Sequence, residues 1–95
     1  MSQGDTPQSA TLANVASSAT NVSVFAAAAG HVNGRTVYND STQVLYLKFG
    51  ATASATSHTV QIGPGGYYEF PAPVYSGEAD GLWASANGSA RLTSW

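Results

Sequence analysis

Hydrophobic and polar residues alternate with a period of two along most of the chain, in short runs broken by Gly, Pro, Asn and Asp. That rhythm predicts strands. Residues 21–27 (NVSVFAA) set Val22, Val24 and Ala26 on one side and Ser23 and Phe25 on the other. The short alanine run before Gly30 is too brief to nucleate a helix. Asn33-Gly34 signals a turn into a strand over residues 35–39, and Asp40-Ser41-Thr42 a second turn. Residues 43–49 (QVLYLKF) carry Leu45, Leu47 and Phe49 on one face and Val44, Tyr46 and Lys48 on the other, the pattern of a central strand covered on both sides. After a small, polar surface loop at 50–57, Val60 and Ile62 point inward. Residues 67–70 place Tyr68 and Phe70 on one face and Tyr67 and Glu69 on the other, until Pro71 and Pro73 end the pairing. Strands over 81–85 and 90–93 are joined by Asn87-Gly88, a second hairpin signal. Residues 1–10 are polar and read as a flexible arm. In 11–19 only Leu12 and Val15 are sizeable apolar groups, so this stretch is either a short edge strand or more of the arm. The predicted architecture is all-β: a small single-domain β-sandwich, jelly-roll-like, of about seven or eight short antiparallel strands. An N-terminal arm over 1–19 precedes the sandwich body over 20–95.

Composition narrows the function. Ninety-five residues make one domain, and 43% hydrophobic content supports one thin core. Only 8% of residues are charged, against roughly 25% in ordinary soluble proteins. Three basic and five acidic residues leave a net charge of −2, so no basic face exists to neutralise phosphates and nucleic acid is not an expected partner. The absence of cysteine removes disulfides and thiolate metal sites. A chain this small then relies on packing or on association, which makes copies of itself an expected partner. No apolar run reaches a membrane-spanning length, and the first thirty residues lack the pattern of a signal peptide. A cytoplasmically made protein with no membrane association is the expectation.

The reactive side chains form no recognisable constellation. His31 and His58 are far apart and sit in no metal-ligand spacing, so no metal is expected. No G-x-S-x-G elbow is present for a serine nucleophile. Glu78 and Asp80 share one face of a strand, the wrong setting for carboxylates that flank a sugar. Gly63-Pro64-Gly65-Gly66 lacks the lysine and helix of a phosphate loop and reads as a turn. No catalytic residue, cofactor or small-molecule substrate is expected. The aromatics carry more information, because flat faces exposed on a charge-poor surface favour a protein interface. Phe25, Tyr46, Tyr67 and Trp95 are the aromatics expected to point outward. Together with Leu12, Val15 and Trp83 they form the set of candidate partner-binding residues.

The strings T-V-Y-N-D-S-T-Q-V-L-Y-L-K-F-G at 36–50, G-G-Y-Y-E-F-P at 65–71, Y-S-G at 75–77 and G-L-W-A-S-A-N-G-S-A-R-L-T at 81–93 resemble a group of small structural proteins of tailed bacteriophages. The resemblance implies a virion component without catalytic residues. In such phages small all-β proteins commonly serve as capsid decoration or cement proteins, often trimers on the capsid lattice. The expected partners are then the major capsid protein and copies of the chain itself as a homotrimer. The expected place is the capsid exterior, after synthesis in the host cytoplasm. The alternative is a tail or tail-fibre component that uses Tyr67, Tyr75 or Trp83 against a carbohydrate receptor.

Overall fold

The structure, a computed structural model, describes residues 7–95. Eight strands follow one another: β1 (Thr11–Ala16), β2 (Val22–Phe25), β3 (Arg35–Asp40), β4 (Leu45–Phe49), β5 (Val60–Ile62), β6 (Tyr67–Glu69), β7 (Ala79–Trp83) and β8 (Ser89–Ser94). They form two four-stranded sheets, β1-β8-β3-β6 and β2-β7-β4-β5, in which every strand pair is antiparallel. The pairs β1–β8, β2–β7, β3–β6 and β4–β5 are those of one long hairpin folded at its middle and rolled into two layers. This order is a jelly roll.

Only β4 and β5 are both consecutive and paired. The hairpins read from Asn33-Gly34 and Asn87-Gly88 therefore do not form. Both dipeptides instead carry the chain from one sheet to the other. At Asn87-Gly88 the turn chemistry still applies, since Gly88 has φ 79° and a side chain there would collide with the Asp40 carbonyl. Gly34 has a different reason to be glycine: a Cβ there would collide with the Trp95 indole.

The core lies between the sheets. Val37, Ala90 and Leu92 face Val24, Phe25, Leu45, Leu47, Ile62, Ala79 and Trp83, and Phe70 closes the β3–β6 side. Ile62, Leu45 and Trp83 share one row across β5, β4 and β7. One end is finished by an aromatic stack in which Phe49 lies 4.7 Å from Phe70 and 4.8 Å from Tyr75. Removing a large side chain from such a core costs roughly 2–5 kcal/mol.

Of the two readings left open for residues 11–19, the short edge strand is the one that forms over 11–16, where β1 pairs in full with β8, so the body begins earlier than residue 20. Two other expectations change. Met1 to Thr6, the greater part of the polar stretch read as flexible, lie outside the described residues. Phe25 is buried rather than outward, at 8% exposure. The β2–β7 register shifts between Ser23 and Phe25, so a bulge turns both Val24 and Phe25 into the core and breaks the period of two. Strand β7 begins two residues before the expected Gly81, which brings Asp80 into the sheet.

Candidate functional site

The two outer faces of the sandwich differ. On the β1-β8-β3-β6 sheet, strand register sets the outward side chains in rows. Leu12, Thr93, Thr36 and Glu69 form one, Asn14, Arg91, Tyr38 and Tyr67 the next, and Ala16, Ser89 and Asp40 a third. Leu12 is 76% exposed, Tyr67 62% and Tyr38 41%, and these are the exposed large hydrophobic residues among those described. All of them lie on this one face. Arg91 reaches Asp40 with Nη2 at 2.9 Å and Nε at 3.0 Å. Both side chains are about half exposed, so the pair contributes only about 0–1 kcal/mol to stability. It joins β8 to the end of β3, where Tyr38 is the cross-strand partner of Arg91.

At the end of this face Trp95 lies over Gly34 and pairs with it through backbone bonds of 3.1 Å in each direction. Between Trp95 and residues 7–10 runs a cleft of about 460 Å³. A second cleft, of about 370 Å³, lies among residues 31–33, 72–74 and Ser76.

On the opposite sheet the loop over residues 50–59 covers part of the outer face, around Tyr46 and Lys48, while Ser23 and Gln61 stay exposed. His58 packs on Tyr46 at 5.0 Å between ring centroids. Lys48 donates to the Thr52 carbonyl at 3.3 Å and to Ser57 Oγ at 2.8 Å. Asn21 ties the loop to the sheet by donating to Asp80 Oδ2 at 2.9 Å and accepting from the Ala53 amide at 2.8 Å. Asp80 is thereby buried, and its Oδ1 has no hydrogen-bond partner among the described residues. The neighbouring Asp80 raises the pKa of exposed Glu78, first through side-chain hydrogen bonding and then through its charge.

The seven candidate interface residues consequently separate. Leu12 and Tyr67 lie exposed on the same sheet face, and Trp95 stands half-buried at its end. Val15 is half-buried on the inward side of β1. Tyr46 belongs to the opposite face, half-covered by His58, so one contact cannot use both Tyr46 and Tyr67. Phe25 and Trp83 are core residues and are withdrawn from any contact surface. Sequence reasoning missed Tyr38, which points outward between buried Val37 and Asn39 in β3, because an asparagine does not announce its burial.

Two buried polar residues organise the frame behind the face. Asn39, fully buried, donates through Nδ2 to the carbonyls of Gln43, Ile62 and Gly63, and its Oδ1 accepts from Ser41 Oγ at 2.7 Å and Trp83 Nε1 at 3.1 Å. The Asn39 backbone in turn donates to the Gly66 carbonyl at 2.8 Å and accepts from the Gly65 amide at 2.9 Å. Arg35, 2% exposed, donates to the carbonyls of Ala26, Tyr75, Ser76 and Gly77 and stacks over Phe25 at 4.7 Å. It has no carboxylate partner among the described residues.

His31 bonds Asn33 at 3.0 Å and His58 packs on Tyr46, so each histidine is engaged locally. Among the described residues no three His, Asp or Glu side chains gather as a metal site. Compared with known protein families, curated proteins and solved structures, the chain matches none.

Proposed function

We propose that this chain is a non-enzymatic structural component of a tailed-bacteriophage virion. In this reading it is a capsid decoration protein that lays the outer face of the β1-β8-β3-β6 sheet on the lattice of the major capsid protein. The observation that carries the reading is that the exposed large hydrophobic residues among those described, Leu12, Tyr38 and Tyr67, all lie on this one sheet face. Apolar and aromatic groups with few charges are what the centre of a protein interface contains. The phage-like strings supply the kind of partner. Repetition over a symmetric lattice turns individually weak contacts into stable decoration, and binding only the assembled shell stabilises that shell.

The test is to mix the purified protein with capsids that lack it, then follow co-sedimentation and capsid survival on heating. Stoichiometric binding with longer survival supports the reading. Absence of binding overturns it.

The tyrosine pair also favours a second reading. Tyr38 and Tyr67 flank each other with Arg91 and Asp40 alongside, a flat aromatic patch with polar edges of the kind that sugars stack on. A tail or fibre protein reading host carbohydrate would bind glycans and ignore capsids.

A further inference from the structure

A sheet edge presents unpaired N–H and C=O groups, and proteins blunt such edges with short strands, bulges, prolines or charges. Three edges of this sandwich are blunted. β2 has four residues and a bulge. β5 and β6 have three residues each, and Gly63-Pro64 follows the first and Phe70-Pro71 the second. The fourth edge, β1, is different. It runs for six residues without a bulge, glycine, proline or charge, and its side chains are exposed except for half-buried Val15. Among the described residues it pairs with β8 alone. No Asp, Glu, Lys or Arg occurs between Asp5 and Arg35.

We infer that β1 pairs with β1 of a second copy, antiparallel about a two-fold axis normal to the sheet, merging two four-stranded sheets into one of eight. The occupant follows from the strand itself. Another β1 is the one edge of this fold that matches its length. A two-fold axis sets a strand against its own sequence, so any charge would meet its own sign, and β1 has none. The axis also opposes residues of like face, bringing the Leu12 sides of both copies together and covering a side chain that is 76% exposed in the single chain. The two outer faces then join into one surface twice as wide. A trimer, as the phage resemblance implies, would need β1 to add to a different edge of the next copy. The short, proline-flanked β6 does not fit it.

The inference is independent of the capsid reading, since it concerns the free protein. Sedimentation velocity of the full chain over a concentration series is expected to show a monomer–dimer equilibrium, with β1 amide exchange slowing as dimer forms. Leu12→Lys and Leu12→Glu, each at an exposed position and each checked for native folding by circular dichroism, are expected to weaken the dimer about tenfold. Mixing the two variants is expected to restore it. Tyr67→Ser, on the far edge strand, is expected to leave it unchanged. A monomer at every concentration, a trimer, or a dimer indifferent to the Leu12 variants overturns the inference.

Discussion

Tyr38 stands directly opposite Tyr67 across the β3–β6 pair, and Arg91 is its partner on the other side. The two tyrosines are 41% and 62% exposed and contribute nothing to the core between the sheets. Replacing both with Ala is therefore expected to change stability by less than about 1 kcal/mol. Lost contacts at the centre of an interface are typically worth about 2 kcal/mol or more each, so capsid binding by the double variant is expected to fall at least tenfold. Co-sedimentation beside a urea melt separates the two effects. Undiminished binding would move the working surface elsewhere.

Asn39 predicts the opposite balance. It is fully buried and bonds to three carbonyls, a serine hydroxyl and the Trp83 indole. Asn39→Ala removes the partners of several buried groups at once, at about 1–3 kcal/mol for each group left unpaired. A total loss of about 4 kcal/mol in urea unfolding is expected. Trp83→Phe frees only one acceptor of that network and is expected to cost less, about 2 kcal/mol.

The strands were legible because their side chains obey a simple period. Leu45 and Leu47 face in, Tyr67 and Glu69 face out, and Pro71 ends β6 as the alternation predicts. The period fails where geometry departs from it. A single bulge turns Phe25 inward, and no residue type in NVSVFAA announces it. Asn33-Gly34 and Asn87-Gly88 encode local turns, yet a rolled hairpin uses such turns to change sheets rather than to pair neighbours. Arg35 and Asn39 look like surface residues in a sequence, because their burial depends on carbonyls supplied by distant loops. Of the three exposed large hydrophobic residues on the outer face of the β1-β8-β3-β6 sheet, Leu12 and Tyr67 were readable. Tyr38 needed the register that sets it beside Tyr67.

Glu78 is expected to give the fold a modest sensitivity to pH, screened by the exposure of its side chain. Its pKa is raised, first by side-chain hydrogen bonding with Asp80 and then by the Asp80 charge. A carboxyl whose folded pKa lies above its unfolded value stabilises the fold below the unfolded value, near 4.5, and that contribution is lost as pH rises through the folded value. Glu78→Gln keeps a donor toward Asp80 and removes the titration. Its melting temperature is expected to exceed that of the parent at neutral pH, and the gap to close as pH falls toward 4.5. A gap constant with pH would show that Asp80 does not shift the titration of Glu78.

Arg35 tests whether a buried cation here acts as a charge or as a shape. Its guanidinium meets no carboxylate among the described residues; it donates to the carbonyls of Ala26, Tyr75, Ser76 and Gly77 and lies flat over Phe25. Burial lowers its pKa, an effect partly offset by Tyr75, yet arginine stays protonated in proteins. If charge alone held the two loops, Arg35→Lys would serve nearly as well. The planar fork argues otherwise, because an ammonium projects its donors from one point and cannot stack on a ring while reaching carbonyls on two separate loops. Arg35→Lys is expected to lose about 2 kcal/mol and Arg35→Met about 3 kcal/mol. Amide exchange should quicken at Ala28, whose N–H bonds to the Ser76 carbonyl, while the β1–β8 amides stay unchanged until global unfolding. A lysine variant within about 0.5 kcal/mol of the parent would assign the joint to charge and remove the geometric role of the fork.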